Sequence, residues 1–198
     1  MNNVGEIFSK IYESNAWDCG SGPGSLPEAT VEYQEILKSV LSNHSIKTVL
    51  DYGCGDWQFS KFIGWENLVD SYTGADVVPS LIENHNKTYA SDKLSFEVVN
   101  ENFEWKPVDL IVCKDVLQHL PLELIDSILK EMRSKAKYLL ITNDIDGPKG
   151  SLTLNKECKP GAWRPIDVSV APWNFPCEKL LTWKVRNRTK QTILIKNF

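Results

Sequence analysis

The sequence has no C-x-x-C pair, no apolar run of membrane-spanning length and no excess of basic residues. Each absence removes a class of function. Its five cysteines, Cys19, Cys54, Cys113, Cys158 and Cys177, are odd in number and widely spaced. They give no basis for a zinc cluster or a dithiol redox centre and predict reduced thiols in a cytoplasmic protein. No stretch approaches the ~20 apolar residues that span a bilayer, so no membrane insertion is expected. The opening Met1-Asn2-Asn3-Val4-Gly5-Glu6 lacks the basic and apolar regions of a secretion signal. With 22 Lys and Arg against 26 Asp and Glu the formal charge is -4. A surface that grips nucleic acid phosphates is therefore not expected, and nucleic acid is not a predicted partner.

What is present is an alternation of strand and helix patterns. Val4, Ile7, Phe8, Ile11 and Tyr12 predict a helix over 2–16, followed by a Gly- and Pro-rich segment from Trp17 to Ser25. A second helix is expected from Pro27 to about Ser42, with Val31, Ile36, Leu37, Val40 and Leu41 facing inward. Strands are predicted at 46–52, 72–77, 94–99, 108–114 and 138–142, with helices at 57–63, 79–90 and 121–133. That order implies an α/β fold with a parallel sheet covered on both faces. Residues 145–176 hold five of the ten prolines and no clean period, the mark of a long functional loop. Residues 178–185 and 191–196 then read as a hairpin around Arg186–Lys190. One domain, 1–198, is expected, divided into N-terminal helices and a covering loop (1–45), a ligand-binding core (46–144) and a substrate loop with the terminal hairpin (145–198).

The first strand ends in Asp51-Tyr52-Gly53-Cys54-Gly55-Asp56. Bulk at Gly53 or Gly55 would hold a ligand off the backbone, so the turn around Cys54 marks a close approach. A dinucleotide-binding turn needs a third glycine where this chain has Gln58. Ligands of open α/β sheets lie at the carboxyl ends of the strands, and an acid ending the second strand is where ribose hydroxyls bind. Asp76, followed by Val77, fills that position. The loop from Trp17, with Ser21 and Gly22, is placed to fold over the ligand and offer backbone N–H groups to a carboxylate.

Asp51-x-Gly53-x-Gly55 resembles motif I of the class I S-adenosylmethionine (SAM) methyltransferases. A cationic sulfonium and amino group suit a nearby acid that would repel a pyrophosphate. The resemblance implies SAM as cofactor, with S-adenosylhomocysteine (SAH) as product. It also implies a three-layer Rossmann-like sandwich whose seven-stranded, mostly parallel sheet ends in a C-terminal antiparallel hairpin. It assigns Asn102 and Phe103 to the adenine, or Glu101 if the register slips by one. Cys113 through Pro121 resembles the family's segment after the fourth strand, in which Lys114 and Asp115 would line the methionine part and His119 would face the acceptor. An imidazole suits the removal of a hydroxyl proton, with Asp115 or Asp144 orienting it. Asp115 with Asn143-Asp144 also resembles the carboxylate set of magnesium-dependent O-methyltransferases. Mg2+ is thus left open but not favoured, and no metal site is predicted.

More narrowly, Ser21–Ser25, the Asp51 turn, the 113–121 segment, Ile141–Asp144 and Arg164–Asp167 resemble small methyltransferases found beside or fused to glycosyltransferases. That implies O-methylation of a sugar hydroxyl, such as that of a deoxyhexose like rhamnose, in glycan biosynthesis. A carbohydrate acceptor and a glycosyltransferase partner follow from it. Trp163, Arg164 and Asp167 are expected at the acceptor with His119, Asn143 and Asp144, because rings suit a sugar's apolar face and polar groups its hydroxyl rim. Three rival readings are weaker. A nucleic acid base methyltransferase would carry an (Asp/Asn/Ser)-Pro-Pro-aromatic segment in place of Lys114-Asp115-Val116-Leu117. Gln58 opposes a nicotinamide oxidoreductase. A non-catalytic SAM-binding partner of a glycosyltransferase is the third.

Overall fold

The computed structural model describes residues 2–146 and 154–197; the stretch 147–153 of the expected irregular loop lies outside the described residues. Helix α1 (Asn2–Glu13) is followed by two 3-10 turns, Pro23–Ser25 and Pro27–Ala29, and then by α2 (Val31–Asn43). A proline presets the helical φ but carries no N–H, and the regular helix begins only after the second of these turns. This start corrects one expectation about its buried face. Tyr33, Leu37, Val40 and Leu41 are buried, whereas Val31 is 58% exposed. At 3.6 residues per turn Val31 sits about 200° around the helix from Tyr33.

Seven strands follow: β1 (Thr48–Tyr52), β2 (Ser71–Asp76), β3 (Leu94–Val98), β4 (Val108–Lys114), β5 (Ala136–Asp144), β6 (Glu178–Val185) and β7 (Arg188–Lys196). They form one sheet in the order β3-β2-β1-β4-β5-β7-β6. The first five strands pair in parallel, and β7 runs antiparallel to both β5 and β6. Helices α3 (Trp65–Leu68), α4 (Pro79–Thr88) and α5 (Leu122–Lys135) complete the chain. The helix expected at 57–63 is a 3-10 turn, Ser60–Phe62, cut off from α3 by Gly64 in the left-handed region.

Strand alternation builds two cores. Leu50, Ile111, Leu139 and Ile141 pack with Ile125, Leu129 and Met132 of α5 on one face. Val49, Leu110, Val112 and Leu140 pack with Leu37 and Leu41 of α2 and Ile82 of α4 on the other. This is the expected three-layer α/β sandwich. Because the chain crosses outward from β1 to β2 and β3 and then returns to β4, the order reverses between β1 and β4, where such sheets bind ligands. Among the described residues all five cysteines are free, and no helix is long and apolar enough to cross a membrane.

The two faces of α2 give a direct check of this packing. Leu37→Ala should cost about 2–5 kcal/mol of stability, and Val31→Ala should stay within about 0.5 kcal/mol. Urea unfolding of both variants measures the difference, and equal losses would contradict the helix register.

Candidate active site

At the switch point the β1 turn folds back on β2. Gly53 and Cys54 donate N–H groups to the Ala75 carbonyl at 2.7 and 3.0 Å. Gly53 has φ 78°, and a Cβ there would stand 2.2 Å from Val116 Cγ2, so a side chain is excluded both sterically and conformationally. Asp76 accepts the N–H groups of Gly55 and Val78, each at 3.0 Å. It thus fixes the turn and the start of α4 together. Asp51 accepts the Tyr72 hydroxyl at 2.7 Å, and that hydroxyl accepts Trp57 Nε1–H at 2.7 Å. Burial pushes both Asp51 and Asp76 up to about 6. Tyr72 and Lys114 restrain the rise at Asp51, and backbone N–H groups restrain it at Asp76.

The N-terminal segment covers this end of the sheet. Ser21 donates its N–H to Asp56 Oδ2 and accepts the Asp56 N–H on its hydroxyl, both at 3.0 Å. Tyr12 shares a 2.7 Å hydrogen bond with the same hydroxyl. Sheet and cover enclose about 970 Å³ of atom-free space, its open mouth included. Of the residues expected to hold a cofactor, all but Gly22, Asn102 and Phe103 line this cavity. Gly22 lines the neighbouring pocket instead. Asn102 is exposed, with its N–H bound to the Asn100 side chain, and Phe103 packs on Tyr52 and Trp105. The chain leaves the sheet earlier than expected, and Val99 faces the cavity in their place.

Trp17 and His119 stand between this cavity and a second pocket and line both; their rings are 4.9 Å apart. Beneath them runs a buried chain of alternating charge. Lys114 Nζ lies 2.5 Å from Asp115 Oδ2 and 2.8 Å from the Gly24 carbonyl. Lys190 Nζ reaches Asp115 Oδ1 at 2.6 Å and Asp144 Oδ1 at 2.8 Å. Burial disfavours the Asp115 charge, yet Lys114 and Lys190 hold its carboxyl well below the usual carboxylate range. Burial likewise works against Lys190, but Asp115 and Asp144 raise it above an ordinary lysine. At Lys114 burial wins and lowers it.

His119 lies at the end of a 3-10 turn, Leu117–His119. Its Nδ1 is 2.9 Å from the Ala162 carbonyl. A carbonyl only accepts, so Nδ1 carries the hydrogen and Nε2 is left as an acceptor. Nε2 has one long contact, 3.4 Å to the Gln118 amide. Burial pushes the imidazole down to about 4, keeping it neutral. Its orientation therefore comes from Ala162; Asp115 and Asp144, expected in that role, are engaged with Lys190.

The expected acceptor residues divide. Trp163 lines the second pocket and donates Nε1–H to Asp144 Oδ2 at 2.8 Å. Arg164 is buried in the loop, where it binds the carbonyls of Leu117, Leu120 and Lys156. Asp167 accepts the N–H and hydroxyl of Ser169 at 2.8 and 2.6 Å. Neither lines the two pockets, because both satisfy loop polar groups that burial would otherwise leave unpaired. Asn143, one residue from Asp144 on β5, lines a small void on the other face beside Gln191. Asp115, Asn143 and Asp144 thus do not converge as metal ligands, and the Lys190 ammonium bridges the two carboxylates. Among the described residues no group of three His, Cys, Asp or Glu is arranged to hold a metal ion.

Lys190, Arg188 and Gln118 escaped sequence reasoning. The signal was a basic residue three places before the apolar run of β7, but its meaning needs the Asp144–Lys190 pairing between β5 and β7.

A family model described as a methyltransferase domain matches residues 28–173. No curated protein matches the sequence. Among solved structures, the N-methyltransferase NodS from Bradyrhizobium japonicum WM9, in complex with SAH, is 15% identical, with 87% of this chain and 88% of that chain covered at a TM-score of 0.63. The N-terminal domain of EvdMO1, crystallised in the presence of SAH and D-fucose, is 10% identical over 83% and 81% of the two chains, at a TM-score of 0.61. Magnesium protoporphyrin IX methyltransferase (ChlM) from Synechocystis PCC 6803, with bound SAH, is 16% identical over 85% and 84%, at a TM-score of 0.59. At these identities the likeness is one of fold.

Replacing Lys190 by Met should take from Asp115 one of its two lysines and from Asp144 its closest cation, at a cost of about 3–5 kcal/mol. The deficit in urea unfolding should shrink as pH falls through the carboxylate range, because Asp115, no longer held down by Lys190, then takes up a proton and loses its charge. A deficit independent of pH would mean that the loss is one of packing.

Proposed function

Because the chain belongs to the methyltransferase-domain family, we propose that it is a SAM-dependent O-methyltransferase acting on a sugar hydroxyl. The observation that carries the reading is the pairing of two compartments across a neutral histidine. One holds buried carboxylates at the ends of β1 and β2, and the other is walled by indole rings.

The first compartment fits the cofactor. Among the described residues Asp51 has a protein partner, Tyr72, on only one of its oxygens. Its raised pKa marks a buried carboxylate short of positive charge, which the amino group of SAM would supply. Asp76 has both oxygens bonded to N–H groups but keeps lone pairs for a ribose diol. Val77 and Val99 would flank the adenine. When bound, SAM supplies a methyl group on a positively charged sulfur.

The chain's own residues then position the acceptor. His119 Nε2, unprotonated near neutrality, accepts the hydroxyl proton as the oxygen takes the methyl group. Its low basicity suffices, since an alcohol oxygen gaining a third bond, as the methyl–sulfur bond breaks, becomes strongly acidic. Trp17 and Trp163 line the second pocket and offer flat apolar faces to a sugar ring. The D-fucose present with one structural neighbour supports a carbohydrate of this size. The resemblance to glycosyltransferase-associated enzymes supports a glycosyltransferase partner, a cytoplasmic setting and one domain spanning 1–198 as parts of the same proposal.

Asp76→Ala should weaken SAM binding by about 1–3 kcal/mol, read by calorimetry. In the wild type, affinity should decline as pH falls through about 6, where Asp51 and Asp76 take up protons. Unchanged affinity in the variant would remove Asp76 from the site.

His119→Ala should lower methyl transfer to a sugar glycoside about 10²–10⁴-fold while SAM affinity is retained. At saturating SAM the wild-type kcat/KM for the acceptor should hold level down to an acid limb near the imidazole value of about 4. Turnover on a protein or nucleic acid, with none on a panel of deoxy-sugar glycosides, would refute the sugar reading.

A further inference from the structure

We propose that the acceptor carries an oxyanion, a phosphate or carboxylate attached to the sugar, and that Arg188 is the group that binds it. This deepens the sugar reading above and rests on it. Alternation along β7 places Arg188 and Lys190 on one face, and both line the second pocket with His119. Their situations differ. Lys190 is buried and committed to two carboxylates. Arg188 is 40% exposed on its side chain and lies 3.4 Å from Asp144 Oδ2. That carboxylate already accepts Lys190 at 2.8 Å and Trp163 at 2.8 Å, so the Arg188 charge is surplus to its needs.

The guanidinium is nonetheless held in place. Its central carbon lies 3.9 Å from the centre of the Trp163 ring, and Trp163 is itself fixed by its bond to Asp144. Stacking occupies the flat face of a guanidinium and leaves its edge, with the fork of N–H donors, open to a ligand. Among the described residues that edge has no hydrogen-bond partner but Asp144. A planar fork of this kind matches the two oxygens of a phosphate or carboxylate.

The charges that line the pocket sharpen the assignment. Arg186, Arg188 and Lys190 are matched in number by Asp18, Asp115 and Asp144. Within that balance Lys190 is held at 2.6 and 2.8 Å by two carboxylates, whereas Arg188 stands 3.4 Å from a carboxylate that already has two closer donors. Arg188 is therefore the cation that an oxyanion on the same molecule as the reacting hydroxyl would engage.

Titrating inorganic pyrophosphate into the SAH-saturated protein by calorimetry tests the site without turnover. Saturable binding is expected, weakened about tenfold or more by Arg188→Ala. Arg188→Lys, which keeps the charge and loses the fork, should restore only part of it. Equal SAH affinity in all three proteins would show that the variants are folded. Assays on a sugar 1-phosphate, a uronic acid glycoside and a neutral methyl glycoside should then give the highest kcat/KM to an anionic acceptor, and the preferred anion identifies its source. Arg188→Ala should raise KM for that acceptor about tenfold with a smaller change in kcat. Pyrophosphate binding that is absent, or indifferent to Arg188→Ala, overturns the inference even if neutral sugars are methylated. Arg188-dependent binding with no carbohydrate methylated supports the oxyanion site and overturns the sugar reading instead.

Discussion

Two ammonium groups and two carboxylates, Asp115 alone of them partly exposed, join the carboxyl ends of β4 and β5 to the amino end of β7 in this protein. Lys114 ends β4, Asp115 follows it, Asp144 ends β5, and Lys190 enters from β7. A buried carboxylate without a cation costs several kcal/mol, so these strand ends are held at one set of separations. The same chain reaches the N-terminal cover, since Lys114 also binds the Gly24 carbonyl. A Cβ on Gly24 would stand 2.8 Å from Lys190 Cε and 3.2 Å from Asp115 Oδ2. The cover can sit this close only because that residue has no side chain. Floor and lid of the site are thereby fixed by one network.

Most of the fold was legible in the sequence because its signals are local and repetitive. The apolar runs of β1, β4 and β5 and the periodicity of α5 need no tertiary knowledge. The glycine turn, Asp51 and Asp76 were legible for a related reason, since backbone geometry at a strand end demands small or acidic residues whatever the neighbours are. Val31 falls on the outer face because it lies about 200° around α2 from Tyr33, and its apolar character alone does not show this. The Arg188–Lys190 pair was invisible for a deeper reason. Their meaning depends on pairing β7 with β5, across 46 residues for Lys190 and Asp144, and no local pattern carries that register.

Asn143 and Asp144 show how one position in a strand separates roles. Adjacent residues point to opposite faces, so Asp144 enters the site while Asn143 is turned to the far side beside Gln191. The similarity to a magnesium-binding carboxylate set therefore extends to residue types and not to geometry. Where a divalent ion would sit between Asp115 and Asp144, this protein places the Lys190 ammonium. A lysine there gives the site a cation of fixed position.

The loop after β5 holds His119 from behind. Arg164 binds the carbonyls of Leu117 and Leu120 on either side of the turn that ends in His119. The N–H groups of Gly161 and Arg164 bind the carbonyls of His119 and Gln118 at 2.9 and 3.1 Å, and the Ala162 carbonyl sets the imidazole tautomer. A 3-10 turn is too short to hold a side chain by its own hydrogen bonds, so the loop supplies what the turn lacks. The Trp-flanked segment thus contributes one ring, Trp163, to the second pocket. Its buried arginine contributes rigidity to the turn that carries His119, which lines both compartments.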